Sequence, residues 1–93
     1  MNGIGKKNKG GNLITEIEYI NGKEIAKEYY LNELIYEGEY LNGKKHGKGK
    51  QYWNNKLKFE GEFLYGKRNG KGKEYDFNGK IIFEGEYLNG KRI

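Results

Sequence analysis

The chain has 93 residues, a net charge of +5, no cysteine and no proline, with 33% charged and only 34% hydrophobic residues. That is one small domain with too few aliphatics for a two-layer core, no disulfide to compensate and no thiolate metal site. No apolar run reaches transmembrane length, and Met1 to Gly11 is too polar for a signal peptide, so an intracellular location, cytoplasmic or peripheral to a membrane, is expected. Nine tyrosines, four phenylalanines and a tryptophan separate it from a disordered chain of similar charge.

Those rings recur in phase. Gly-Ile-Gly-Lys opens the chain at Gly3–Lys6. Glu-Ile-Glu-Tyr-Ile-Asn-Gly-Lys follows at Glu16–Lys23, and Glu-Gly-Glu-Tyr-Leu-Asn-Gly-Lys at Glu37–Lys44. Gly-Lys-Gly-Lys stands at Gly47–Lys50, and Glu-Gly-Glu-Phe-Leu-Tyr-Gly-Lys at Glu60–Lys67. Gly-Lys-Gly-Lys returns at Gly70–Lys73, and the first phrase returns at Glu84–Lys91. The leading glutamates are 21, 23 and 24 residues apart, a period that marks a repeat architecture. Asn2 matches Asn69 and Arg92 matches Arg68, so the chain begins and ends at nearly the same phase. A residue that recurs in every copy maintains a repeated structure, whereas catalysis needs a constellation that occurs once.

Tyr36-Glu37-Gly38-Glu39-Tyr40-Leu41 alternates strictly, rings and glycine on one face and glutamates on the other, which predicts a strand. Asn42-Gly43 predicts a turn into a second alternating strand at Gly47-Lys48-Gly49-Lys50. Short connections throughout predict an all-β antiparallel meander of seven or eight strands, forming one elongated, twisted, single-layer sheet of stacked β-hairpins. A four-residue loop at Asn42–Lys45 sets Gly38 opposite Gly49, Glu37 opposite Lys50, Glu39 opposite Lys48 and Tyr40 opposite Gly47; Tyr65–Arg68 does the same for the next unit. Rings then lie over glycines and opposite charges face each other. Past Lys50 and Lys73 the alternation runs out of phase, and a β-bulge at Lys50–Gln51 and at Lys73–Glu74 is expected to return Tyr52, Tyr75 and Phe77 to the ring face. In the first copy Ile17 and Ala26 replace two of the glycines. Residues 1–31 therefore read as a degenerate N-terminal cap, partly disordered before Leu13, and 32–93 as the regular repeats of one continuous domain.

These phrases resemble the MORN (membrane occupation and recognition nexus) repeat: an aromatic-x-Gly-x-aromatic strand, an Asn-Gly-Lys loop and a Gly-x-Gly strand. Tyr36–Tyr52 and Phe59–Tyr75 resemble it closely, Phe83–Arg92 resembles its first half, and Glu16–Tyr29 is similar more loosely. The resemblance implies a row of hairpins in one twisted antiparallel sheet. It also implies an interaction module, since such arrays accompany membrane-junction proteins, lipid kinases, a methyltransferase and cytoskeletal scaffolds, and a related bacterial group is antitoxin-like.

Three stretches imitate a phosphate-binding loop, beginning at Gly38, Gly61 and Gly85. Each ends Gly-Lys-Lys or Gly-Lys-Arg, where magnesium coordination requires Ser or Thr. His46 is a lone histidine expected in a solvated loop, and no Ser-His-Asp or Cys-His set is present. The reading is non-enzymatic, with no catalytic residue, cofactor or metal. Two surfaces remain. Tyr36, Tyr40, Tyr52, Trp53, Phe59, Phe63, Tyr75, Phe77, Phe83 and Tyr87 form a candidate partner-binding aromatic face for a protein, in the role of adaptor, inhibitor or antitoxin-like binder. Lys44, Lys45, Lys67, Arg68, Lys91 and Arg92 form a candidate surface for anionic phospholipid. Interleaved acids disfavour nucleic acid. The strand at Ile81–Leu88 is expected to lack its hairpin partner and to pair with a second copy, as a two-fold homodimer, or with a strand of a partner.

Overall fold

The computed structural model describes the backbone of residues 3–9 and residues 12–93 in full. The described residues form nine strands: β1 Gly3–Lys9, β2 Leu13–Ile20, β3 Lys23–Tyr30, β4 Glu33–Leu41, β5 Lys44–Trp53, β6 Lys56–Leu64, β7 Lys67–Tyr75, β8 Ile81–Leu88 and β9 Lys91–Arg92. They form one sheet in sequence order, every neighbouring pair antiparallel. The described residues contain no helix long and apolar enough to cross a membrane. Extents of 36 × 26 × 22 Å are deeper than one flat layer with its side chains, as the right-handed twist of strands requires.

The register in the middle of each hairpin follows from the glycines. Gly38 faces Gly49 and Glu37 faces Lys50; Gly61 faces Gly72 and Glu60 faces Lys73. The loop does not have four residues. Tyr40 pairs with Lys45 and Leu41 with Lys44, leaving a two-residue turn, Asn42-Gly43, with φ of 51° and 81°. Positive φ at both positions matches the twist of the strands it joins, so the tight turn wins over the longer loop. The two surplus residues go into a bulge opposite Glu39, at His46–Lys48. There the Glu39 carboxylate accepts the Lys48 amide at 3.0 Å instead of facing its ammonium group. Glu62 accepts the Lys71 amide in the same way at 3.4 Å.

The second bulge is where alternation fails, but its extra residue lies on the following strand. Gln51 pairs with Phe59 and Tyr52 with Leu57, so Lys58 is the surplus residue; Glu74 pairs with Phe83 and Tyr75 with Ile81, so Ile82 is. Past Gly49 and Gly72, β5 and β7 stay regular, and the expected return of Tyr52 and Tyr75 to the ring face does not occur. Their hydroxyls donate to Glu37 Oε1 and Glu60 Oε1, on the charged face. Unbroken alternation leaves Glu28, Gln51 and Glu74 on the ring face instead.

The first unit is a regular hairpin as well. Glu16 faces Lys27 and Ile17 faces Ala26, with Ile17 and Ala26 buried where later units have glycines. Within the stretch before Leu13, expected to be partly disordered, Gly3–Lys9 is a strand; residues 1, 2, 10 and 11 of that stretch lie outside the described residues. β8 has a partner, the two-residue β9, which pairs Leu88 with Lys91 and Tyr87 with Arg92.

Candidate interaction surfaces

The sheet has two faces and two rows of turns, and each has a different chemistry. On the ring face Tyr36, Tyr40, Phe59, Phe63 and Tyr87 are buried, and Phe83 is half-buried. They pack edge to face, between strands and along them: Tyr36 on Phe63 at 5.4 Å, Phe63 on Phe59 at 5.5 Å, Phe59 on Tyr87 at 5.2 Å, and Tyr87 on Phe83 at 5.4 Å. Glycine makes the row possible. A Cβ on Gly72 would lie 2.5 Å from Cε1 of Phe59, so the ring lies flat only on bare backbone. Each fully buried ring contributes on the order of 2 kcal/mol. These rings are the core.

Cations close the row from above. Lys45 Nζ lies 5.1 Å from the Tyr36 ring centre, the Arg68 guanidinium 4.1 Å from that of Phe59, and the Arg92 guanidinium 4.5 Å from that of Phe83. Each is anchored by the residue that regular alternation leaves on this face. Lys45 pairs with Glu28 at 3.4 Å, Arg68 Nε donates to Gln51 Oε1 at 2.9 Å, and Arg92 donates twice to Glu74, at 3.0 Å each. Tyr40 donates to Glu28, and Tyr87 to Glu74 Oε1 at 2.5 Å; the middle unit has Phe63 and Gln51, which need no such bond. The two Arg92 bonds and the Tyr87 hydroxyl hold the Glu74 carboxyl at about 2, well below the usual range. Burial, with Glu28 nearby, pushes the Tyr36 and Tyr40 phenols above theirs.

The opposite face is a charge ladder. Glu16, Lys27, Glu37, Lys50, Glu60, Lys73 and Glu84 face one another in turn from β2 to β8. Lys27 and Glu37 are 3.8 Å apart and Lys73 and Glu84 are 3.9 Å apart. The face bends into an open trough of about 1010 Å³ floored by Gly38, Gly49, Gly61, Gly72 and Gly85. Strand by strand the two signs alternate, so the face has no charge excess to attract a partner.

Four turns form the near row: Asn21-Gly22, Asn42-Gly43, Tyr65-Gly66 and Asn89-Gly90. The third and fourth are tied to the hairpins before them, Gly66 N to Lys45 O at 2.9 Å and Gly90 N to Arg68 O at 2.8 Å. Each turn is flanked by an exposed aliphatic residue (Ile20, Leu41, Leu64, Leu88) and an exposed lysine (Lys23, Lys44, Lys67, Lys91). Of the six basic residues expected at a lipid surface, Lys44, Lys67 and Lys91 stand here, while Lys45, Arg68 and Arg92 are committed to the ring face. His46 is half-buried beside the third turn, 5.8 Å from the Tyr65 ring with its Nδ1 unpartnered, rather than solvated.

The far row holds the turns Leu31-Asn32, Asn54-Asn55 and Phe77–Gly79. Tyr30, Leu31, Trp53, Phe77, Ile81 and Ile82 are all exposed, Phe77 at 61%. Lys58 Nζ lies 5.4 Å from the Trp53 ring centre, and Lys56 Nζ donates to Phe77 O at 3.0 Å, joining the second turn to the third. The ten rings expected on one face are thus divided: six in or against the core, Tyr52 and Tyr75 on the charged face, Trp53 and Phe77 at the far row. Sequence reasoning missed Glu28, Gln51 and Glu74; their 23-residue spacing and their alternation with Ala26, Gly49 and Gly72 are visible, but the bulge expected within β5 and β7 takes Gln51 and Glu74 off the ring face.

The MORN repeat profile matches residues 36–58, 59–81 and 83–92, and leaves the first hairpin outside. No curated protein matches the chain. The MORN repeat is a non-catalytic module found in protein and membrane interactions. With three consecutive units over more than half its length, this chain belongs to the MORN repeat family.

Proposed function

We propose that the chain is a non-enzymatic protein-docking module, an adaptor or inhibitor, whose working surface is the far row. The carrying observation is that three exposed rings, Tyr30, Trp53 and Phe77, stand along this row with Leu31, Ile81 and Ile82, while the ring row is closed by its own cations. Exposed Trp, Tyr and Phe beside apolar neighbours is the composition of an interface centre. Lys56, Lys58 and Lys80 border it, so the complementary partner is a protein segment with apolar anchors flanked by carboxylates. A double variant, Trp53→Ala with Phe77→Ala, is expected to fold as the parent does. It is expected to lose the partner that parent resin retains from cells that make the protein, whereas Leu41→Ala with Leu64→Ala at the near row keeps it. Retention of the same partner by the first variant overturns the assignment.

A second reading has its own observation, the repeated pairing of an exposed aliphatic residue with an exposed lysine at each near turn. With strands about 4.8 Å apart, successive near turns are about 10 Å apart, a line of four cations beside an apolar strip. That suits an anionic membrane surface, at about 1 kcal/mol per lysine. Flotation with phosphatidylserine or phosphoinositide vesicles is expected at low salt and not with neutral vesicles, fading as salt rises. Absence of flotation at low salt, or its persistence after Lys44→Glu, Lys67→Glu and Lys91→Glu together, overturns this reading.

A further inference from the structure

The outer edges of β1 and β8 are the two halves of one missing strand pair. On its inner side β1 sets Gly3 opposite Tyr19, Gly5 opposite Ile17 and Lys6 opposite Glu16. β5 sets Gly47 opposite Phe63, Gly49 opposite Gly61 and Lys50 opposite Glu60, and β7 sets Gly70 opposite Tyr87, Gly72 opposite Gly85 and Lys73 opposite Glu84. The three registers coincide, so β1 is a Gly-x-Gly-Lys strand of the same kind as β5 and β7.

Those two strands have a second partner that β1 lacks among the described residues. On their other sides Gly49 and Lys50 meet Gly38 and Glu37, and Gly72 and Lys73 meet Gly61 and Glu60. β8 is a strand of that partner type, Phe83-Glu84-Gly85 repeating Phe59-Glu60-Gly61. Its outer side is paired only at Tyr87 and Leu88, with a last backbone bond from Ile93 N to Glu86 O at 2.9 Å. The glycines record the difference. A Cβ on Gly61 would lie 2.6 Å from the Cα of Gly72 opposite, whereas on Gly85 it meets nothing nearer than Cζ of Phe83, at 3.0 Å.

We propose that the outer edge of β8 receives β1 of a second copy of this chain, head to tail, with Gly5 opposite Gly85 and Lys6 opposite Glu84. The incoming strand runs antiparallel to β8, in the direction that β9 has already begun, and takes up the ladder beyond Glu86. Gly5 and Lys6 then stand beside β8 as Gly72 and Lys73 stand beside β6. Three complementarities meet in this pairing. Glycine faces glycine where a side chain would hold the strands apart, lysine faces glutamate, and unpaired backbone groups of two edges are satisfied together. A two-fold pairing of β8 with β8 centred on Gly85 sets Glu84 against Glu86, like charge on like, and is disfavoured. Because the two edges differ, each contact leaves one of each open and the association continues into linear assemblies.

The chain has no cysteine, so crosslinking reads the orientation directly. Facing antiparallel residues have Cα atoms within disulfide reach. Lys6→Cys chains and affinity-tagged Glu84→Cys chains, mixed and mildly oxidised, are expected to give dimers containing one of each. Dimers of Glu84→Cys with Glu86→Cys chains, and none of Lys6→Cys with Glu84→Cys, would establish the two-fold contact and overturn the proposal. In sedimentation the parent's mean mass is expected to rise steadily with concentration; a monomer at every concentration overturns it too. Lys6→Glu alone and Glu84→Lys alone are each expected to weaken association about two- to fivefold, with circular dichroism unchanged. The double swap is expected to restore it. Single variants that associate like the parent overturn the register.

Discussion

Gly61 tests the packing of rings on bare backbone. Its backbone is not left-handed, so an alanine there meets only a steric cost. The added Cβ would lie 2.5 Å from Lys71 O, 2.6 Å from Gly72 Cα and 2.9 Å from Cζ of Phe59. Two of these three atoms are backbone of the facing strand, so relief requires β6 and β7 to separate by roughly 1 Å, with loss of ladder bonds. Overpacking costs about 1–3 kcal/mol, and backbone contacts place this case at the upper end. Alanine's lower unfolded-state entropy returns about 0.5 kcal/mol, leaving a net loss of about 2–3 kcal/mol. For a domain this size that lowers Tm by about 10–20 °C. Gly85→Ala occupies the same place in the next unit but meets only a ring tip, and is expected to cost less than about 1 kcal/mol. Thermal melts followed by circular dichroism at low protein concentration decide the matter. If Gly61→Ala melts within about 3 °C of the parent, or if Gly85→Ala is the more damaging of the two, the ring-on-glycine account of this core is wrong.

Four further outcomes are expected. Tyr87→Phe and Glu74→Gln each remove a hydrogen bond to a charged group and cost about 1–3 kcal/mol, but together they rebuild the Phe63/Gln51 arrangement and cost less than their sum; strict additivity in urea melts refutes this. Glu74 is held at about 2 in the folded chain, so its contribution is complete above about 4.5 and disappears as pH falls toward about 2. Denaturation midpoints of Glu74→Gln measured across that window should fall less steeply than the parent's. At the alkaline end, the Tyr75 phenol is raised to about 12 by its bond to Glu60, so stability is full below about 10 and lost as pH rises toward about 12, and Tyr75→Phe should blunt that loss. Tyr65 has φ of 49° where the other near turns have asparagine, and Tyr65→Asn is expected to stabilise by about 1 kcal/mol; an unchanged midpoint means that the ring's contact with His46 outweighs the backbone strain.

The residues that made the surfaces hardest to read are Tyr52 and Tyr75. Aromatic residues late in a Gly-Lys-Gly-Lys strand invite placement with the other rings, and a bulge nearby was the right device. The extra residue belongs to the opposite strand, at Lys58 and Ile82, where nothing in the local sequence announces it. Because the surplus residue lies there, β3, β5 and β7 alternate without a break past Ala26, Gly49 and Gly72, which leaves Glu28, Gln51 and Glu74 on the ring face and the two tyrosines off it. Lys45, Arg68 and Arg92 then had anions and amides to fold toward, and left the turns for the rings.

Period, strand identity and the glycine-to-glycine register were determined by the sequence alone. They rest on local alternation and on spacing, which any neighbouring copy must repeat. The tight turn with its bulge, the closing of the rings by cations and the division of exposed apolar side chains between two rows were decided only by the tertiary structure. Each depends on the twist that accumulates across the sheet and on which strand absorbs a surplus residue. Those are properties of strand pairs, and no single strand's sequence carries them.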